Sequence, residues 1–287
     1  MRSRVLPALA VVAGAAALAA CGSSSSSSSN STGSTTAASC AVDQLALVHK
    51  GQLTVGTDQP AYPPWFVDNA PSNGKGYESA VAYAIAKQMG FTPAQLKWVK
   101  VTFNVAISPA VKNFDFDVNQ VSISDKRRKA VDFSSGYYDV RQAVISYKGS
   151  KLDGVHTLAG VAAAHLGAQV GTTSYQAIVD QIKPKSAPAV FDSNDLAVQA
   201  LKNHAIDGIV VDVPTAFYMV AAQVDHGIIV GQLPKAGGQQ EQFGAVLDKG
   251  SKLTPCVTKA VDALRANGTL DRLQTRWLSS QGAPELK

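Results

Sequence analysis

A chain of 287 residues, 46% hydrophobic and 16% charged, can bury a substantial core, which excludes a disordered or fibrous polymer. Its 26 basic and 21 acidic residues leave a net charge of +5, spread along the chain apart from Lys126-Arg127-Arg128-Lys129. A nucleic-acid surface is therefore excluded, and three cysteines are too few for a disulfide-dense scaffold.

At the start of the chain, Arg2 and Arg4 form a positive n-region, and residues 5–20 are apolar apart from Pro7 and Gly14. That run falls short of the roughly 20 residues a membrane-spanning helix needs, so residues 1–20 read as a secretory signal peptide. The stretch ends in Leu18-Ala19-Ala20-Cys21-Gly22, which resembles the lipobox of bacterial lipoproteins. The resemblance implies that Cys21 carries diacylglycerol and becomes the mature N-terminus, with two acyl chains to make the anchoring stable. A serine run at 23–29 and further small polar residues to Thr36 follow. Such a segment buries too little apolar area to offset chain entropy, so 21–39 is expected to be a flexible tether. The expected location is extracytoplasmic, on the outer face of the cell membrane.

From 40 to 287 the composition is globular, and some 250 residues exceed the usual single core, which points to two lobes. Cys40 and Cys256 remain once Cys21 is lipidated, and an isolated pair in an oxidising compartment favours one disulfide. Two free thiols are the alternative.

Residues 53–57 alternate as a strand and run into a loop with Pro60, Pro63 and Pro64. Tyr77, Val81, Ile85 and Met89 lie four apart on one helix face, stopped by Gly90. Residues 98–101 and 116–121 read as short strands and 140–147 as a longer extended run. The middle repeats a strand–helix rhythm: strands at 168–170, 189–191, 209–211 and 228–230, helices at 174–182, 194–203 and 214–224. Pro214 suits the first turn of the last. Residues 243–247 return to a strand, and helices at 255–267 and 270–278 close the chain. Such alternation argues an α/β sheet with helical crossovers, whose ligands bind at the carboxyl ends of the strands. Asp58, Ser122, Thr172, Thr173 and Asp212 all fall at such ends.

At this level of detail the chain resembles the polar amino-acid family of periplasmic-type solute-binding proteins. The matching runs in the first half are Val55-Gly56-Thr57-Asp58 with Tyr62-Pro63-Pro64-Trp65, then Gly76-Tyr77-Glu78. They continue with Val121-Ser122-Ile123-Ser124-Asp125-Lys126-Arg127, Val131-Asp132-Phe133-Ser134 and Tyr137-Tyr138. The second half adds Val170-Gly171-Thr172-Thr173-Ser174 and Ile206-Asp207-Gly208-Ile209-Val210-Val211-Asp212. The resemblance covers residues 50–280 in the family's order. It implies a two-lobed periplasmic-binding-protein-like fold of type II, each lobe a mixed sheet flanked by helices. The first lobe would comprise 40–144, the second 145–231, and 232–287 would return to the first. Crossing strands near 143–147 and 228–233 would form a hinge that closes over solute.

The implied ligand is a small-molecule amino acid, which needs a cation, an anion and a dry pocket for its zwitterion. Arg127 is the expected carboxylate clamp, since a guanidinium meets a carboxylate through two parallel hydrogen bonds. The competing reading places Arg127 on a solvated basic turn, with Arg128 taking its role. Thr172 and Thr173 precede a helix whose free N–H groups suit the same carboxylate, or Thr172 simply caps it. The family places an aspartate at Asp212 on the ammonium, with the Ser122 hydroxyl and the Gln120 carbonyl completing its acceptors. Asp212 could equally be the N-cap of the next helix. Tyr62 should lie flat on the ligand, with Trp65 supporting it or belonging to the core.

The sequence departs from the family in having three residues between Asp58 and Tyr62 rather than two. Asn119-Gln120-Val121 also replaces a small, glycine-rich run. Asp58 near the side-chain pocket favours glutamine, asparagine or a basic amino acid over an acidic one.

The expected role is capture for an ABC importer, with permease subunits as partners, no cofactor and no enzymatic activity; the protein should be a monomer. The alternatives are a dehydratase of the cyclohexadienyl or prephenate type and a ligand-sensing module for a membrane receptor. A dehydratase would need a general acid, for which Glu78 and Glu241 are the nearest candidates. His49, His156, His165, His204 and His226 form no pair at metal-ligand spacing, so no metal is expected.

Overall fold

The computed structural model describes residues 39–235, 240–278 and 282–287. The expected signal peptide, Cys21 and the serine run lie outside the described residues. The folded part is built on two five-stranded mixed sheets.

The first sheet takes β1 (Leu53–Thr57), β2 (Leu96–Lys100), β3 (Phe116–Asp117) and β4 (Val131–Asp139) from the first half of the chain. The second takes β5 (Gln142–Tyr147), β6 (Leu166–Gln169), β7 (Ala189–Phe191), β8 (Gly208–Asp212) and β9 (Gly227–Gln232). A last strand, β10 (Gln242–Asp248), returns to the first sheet. The orders are β2-β1-β3-β10-β4 and β7-β6-β8-β5-β9. Each sheet has three adjacent parallel strands, then one antiparallel strand (β10 or β5), then an edge strand running with the first three (β4 or β9). The chain therefore passes from the first sheet to the second between Asp139 and Gln142, slightly ahead of the expected crossing at 144. It passes back between Gln232 and Gln242.

Helix α1 (Tyr77–Gln88) lies against the first sheet. Its entry is set by Gly76, whose φ is +95° and where a Cβ would run into the backbone of Trp65 and Phe66. Only glycine fits both conditions. Tyr77, Val81 and Ile85 are fully buried along one stripe of α1. Short turns α2 (Phe103–Ala106), α3 (Asp125–Arg128) and α4 (Leu158–Val161) follow. The second lobe then carries α5 (Thr173–Ala177), continued by a π-helical turn at Ile178–Ile182, with α6 (Asn194–Lys202) and α7 (Val213–Ala222). Helices α8 (Thr254–Ala266) and α9 (Thr269–Trp277) pack beside α1 on the first core. The second sheet buries separate apolar clusters, one containing Val144 and Val210 and the other Ile145 and Ile209.

Three further features differ from expectation. The strand expected at 116–121 ends at Asp117, and β4, which was not expected as a strand, is the longest of the first sheet. The last residues also do not return to the first lobe with 232–278: Glu285 bridges to Gln232, and Leu286 is buried in the second-lobe core. Reciprocal backbone bonds join this tail to the second lobe, from Leu158 N–H to the Lys287 carbonyl and from Lys287 N–H to that of His156. Burying Leu286 and pairing the tail on the β9 edge favours that position.

Cys40 and Cys256 form a disulfide with Cα atoms 5.5 Å apart across a sequence separation of 216. It joins the segment ahead of β1 to the first turn of α8.

Candidate functional site

The carboxyl ends of the parallel strands in both sheets face one cavity of about 440 Å³. Of the expected residues, Asp58, Tyr62, Gln120, Arg127, Thr172, Thr173 and Asp212 line it. Ser122 and Trp65 do not.

Arg127 ends up here because Ser124 caps α3, accepting the Arg127 backbone N–H at 3.2 Å and turning the side chain inward. Only 7% of Arg127 is exposed, so it is not part of a solvated basic turn. Its Nη1 donates to the Ser122 carbonyl at 2.6 Å and its Nη2 to the Gly171 carbonyl of the other lobe at 3.0 Å. Two of five N–H bonds are thereby committed. The guanidinium lies over the Phe103 ring at 5.3 Å. Burial lowers its pKa to about 10, against the opposing pull of Glu241 and Asp212, so it stays charged at neutral pH.

Asp212 stands at the end of β8, opposite Gln142 of β5. It occupies the backbone N-cap position of α7, but its side chain makes no capping bond. Instead Oδ1 accepts Gln142 Nε2 at 2.8 Å, leaving Oδ2 without a protein donor among the described residues. Burial, then the charge of Glu241, pushes this carboxyl well above the usual range. Gln142 also accepts from Ser174 Oγ at 2.7 Å, which fixes its amide.

Thr172 caps α5: its hydroxyl accepts the Tyr175 N–H at 3.1 Å and donates to the Gln169 carbonyl at 2.7 Å. Ser122 is buried, donating to Glu241 Oε1 at 2.6 Å and lying 3.2 Å from Thr173 Oγ1 of the other lobe. Asp58 Oδ2 accepts the Phe103 N–H at 3.1 Å, tying the loop after β1 to the one after β2.

The proline-rich loop reaches across the gap. Tyr62 Oη donates to Asp195 Oδ2 at 2.8 Å, and its ring stacks on Tyr218 at 5.6 Å. Burial and Asp195 push the phenol up to about 12. Trp65 is 2% exposed, packed against Tyr77, Tyr138 and Phe243, and its Nε1 donates to Thr215 Oγ1 at 2.9 Å. It lines a smaller adjoining pocket of about 60 Å³.

Sequence reasoning missed Phe103, Asn104, Asp192 and Asp195, which also line the cavity. The signal was available, because they lie within four residues of the carboxyl ends of β2 and β7. Glu241 was noted without a partner; Ser122 is that partner.

Among the described residues no group of three side chains could hold a metal ion, and no helix is long and apolar enough to cross a membrane.

The family model for bacterial extracellular solute-binding proteins, family 3, matches residues 53–280. The chain belongs to that family. It is 26% identical over 228 residues to an L-arginine-binding protein of Pseudomonas aeruginosa, covering 77% of this chain and 86% of that one. To the L-cystine-binding protein TcyJ of Escherichia coli it is 29% identical over 232 residues, covering 80% and 84%. Among solved structures, an ancestral arginine-binding protein bound to arginine matches with a TM-score of 0.64 at 30% identity, covering 80% of this chain and 99% of that one. An ancestral amino acid-binding protein described as a precursor of cyclohexadienyl dehydratase matches at 0.63 and 27%, covering 80% and 96%. These likenesses make the fold periplasmic-binding-protein-like, and family membership implies an extracytoplasmic location.

Proposed function

We propose that this family member is the amino-acid receptor of an ABC importer, held on the outer face of the cell membrane by a lipidated Cys21. It grips the two poles of a zwitterion between Arg127 and Asp212. The observation that carries this reading is that Arg127, from the first lobe, and Asp212, from the second, line one cavity. Arg127 keeps three N–H bonds for a carboxylate, and Asp212 keeps Oδ2 for an ammonium. The Gln120 carbonyl would add an acceptor for the ammonium, and the backbone of Thr172 and Thr173 would add donors for the carboxylate. Tyr62 would lie against the side chain with Trp65 behind it. The lobes, one carrying β1–β4 and β10 and the other β5–β9 with the tail, would close about the two connections that follow Asp139 and Gln232.

The side-chain end carries Asp58, Asp192 and Asp195, and Arg127 is the single Lys or Arg among the lining residues. That balance favours a basic side chain or an amide over an acid, in keeping with the relative named for arginine. The protein would act as a monomer and turn nothing over: Glu78 and Glu241, the candidate general acids, already hold donors from Gln120, Tyr137 and Ser122.

A thermal-shift screen of the soluble domain with the twenty amino acids and cystine tests this. A basic amino acid or an amide should raise Tm; no shift with any of them would refute the reading. Tight binding of aspartate or glutamate, with the others rejected, would overturn the preference. Cys21→Ser should release the protein from membranes in cell fractionation.

A further inference from the structure

Glu78, the second residue of α1, is fully buried. Its Oε1 accepts the backbone N–H of Gln120 at 2.7 Å and the Tyr137 hydroxyl, and its Oε2 accepts Gln120 Nε2. Gln120 lines the cavity with φ at +50°, a conformation that side chain-bearing residues seldom adopt without support. Its carbonyl receives no protein donor among the described residues. A carboxylate behind the wall thus holds both the N–H and the amide of one residue in a strained turn and leaves that residue's carbonyl free.

We infer that Glu78 is a positioning residue for ligand capture, acting through Gln120 by holding its backbone in the left-handed conformation that offers its carbonyl to the cavity. The inference rests on the amino-acid receptor reading above. All three partners of Glu78 are donors, so the arrangement requires the ionised carboxylate. Burial pushes that carboxyl up to about 7, while bonds from Tyr137 and Gln120 pull it down. The titratable groups facing it are Tyr77 on α1, Asp117 on β3, Tyr137 on β4 and, across the gap, Asp212. Among the described residues Asp117 has no protein donor on either oxygen. Burial pushes it well above the usual range.

The test is a double-mutant cycle read by calorimetry, using whichever of L-arginine, L-histidine, L-glutamine and L-cystine the wild type binds tightest. At pH 8, Glu78→Gln should weaken binding about tenfold, because donors are left facing an amide. In a Gln120→Gly background, where glycine adopts the turn unaided, the same change should cost less than about threefold. Between pH 8 and 6 the wild type should lose affinity that Glu78→Gln does not lose; Asp212 titrates in both, so the difference between the two profiles is the readout. An equal loss in both backgrounds, or parallel pH profiles, overturns the inference. Because Glu78→Gln is close to isosteric, its Tm separates misfolding from weakened capture; should it not fold, Tyr137→Phe, which removes a donor that holds the Glu78 pKa down, must move the loss of affinity to higher pH instead. Binding of none of the four probes by the wild type sinks the receptor reading itself, and the inference with it.

Discussion

Gln142 stands opposite Asp212 across the β5–β8 ladder and donates Nε2–H to Asp212 Oδ1 at 2.8 Å. The same amide lies 3.3 Å from Glu241 Oε2 and accepts from Ser174, so one buried glutamine keeps two carboxylates apart. Gln142→Leu should leave the fold intact and weaken amino-acid binding on the order of tenfold, since a hydrogen bond to a charged group is lost. Gln142→Glu, which adds a third carboxylate, should be worse. Calorimetry on the two purified variants orders them, and the reverse order would contradict this account of Asp212.

Arg127 holds Ser122 and Gly171 while facing the cavity, which one planar guanidinium can do and an ammonium cannot. Arg127→Ala should cost about 2–5 kcal/mol of binding, thirtyfold or more. Arg127→Lys should recover only part of it. Full affinity in the lysine variant would reduce Arg127 to a diffuse positive charge.

Affinity and stability should respond to pH in opposite directions. Asp212 must be ionised to hold an ammonium, and burial with Glu241 raises its pKa. Binding should therefore weaken as pH falls, starting above the ordinary carboxylate range. Glu241→Gln removes one cause of the rise, so the loss should move to lower pH. The ligand-free protein should behave the other way. The Glu78 carboxyl goes from 4.5 to about 7 on folding, so the native state binds the extra proton. Its contribution to stability is fully present below 4.5 and is lost as pH rises through about 7. Apo Tm should thus rise between pH 8 and 5, less so in Glu78→Gln; paired thermal melts and titrations decide both signs.

Tyr62 to Asp195 and Trp65 to Thr215 are bonds between the lobes. Tyr62→Phe removes a donor to a carboxylate and should favour the open form. Small-angle scattering should give a larger radius of gyration without ligand, and affinity should drop several-fold. An unchanged radius and affinity would mean that closure does not depend on this contact.

The middle of the fold was legible because short buried strands alternate with capped helices, and Thr172 marks a helix start in sequence and structure alike. Strand β4 was not, because its register against β10 shifts around Gly244 and its buried positions do not alternate. Within the site, residues at strand ends could be read off one rule, but the rule was applied to only four of the six parallel strands, so Phe103 and Asp195 were passed over. Partnerships such as Ser122 with Glu241, 119 residues apart, depend on how the lobes meet and leave no local trace.

The disulfide gives the domain a fixed point of attachment. A pull on the chain ahead of Cys40 is delivered through sulfur to α8, in the first core, and bypasses the Leu53–Thr57 strand. The chain's entry is thus fixed to the lobe that carries α8, and not to the lobe that carries Asp212.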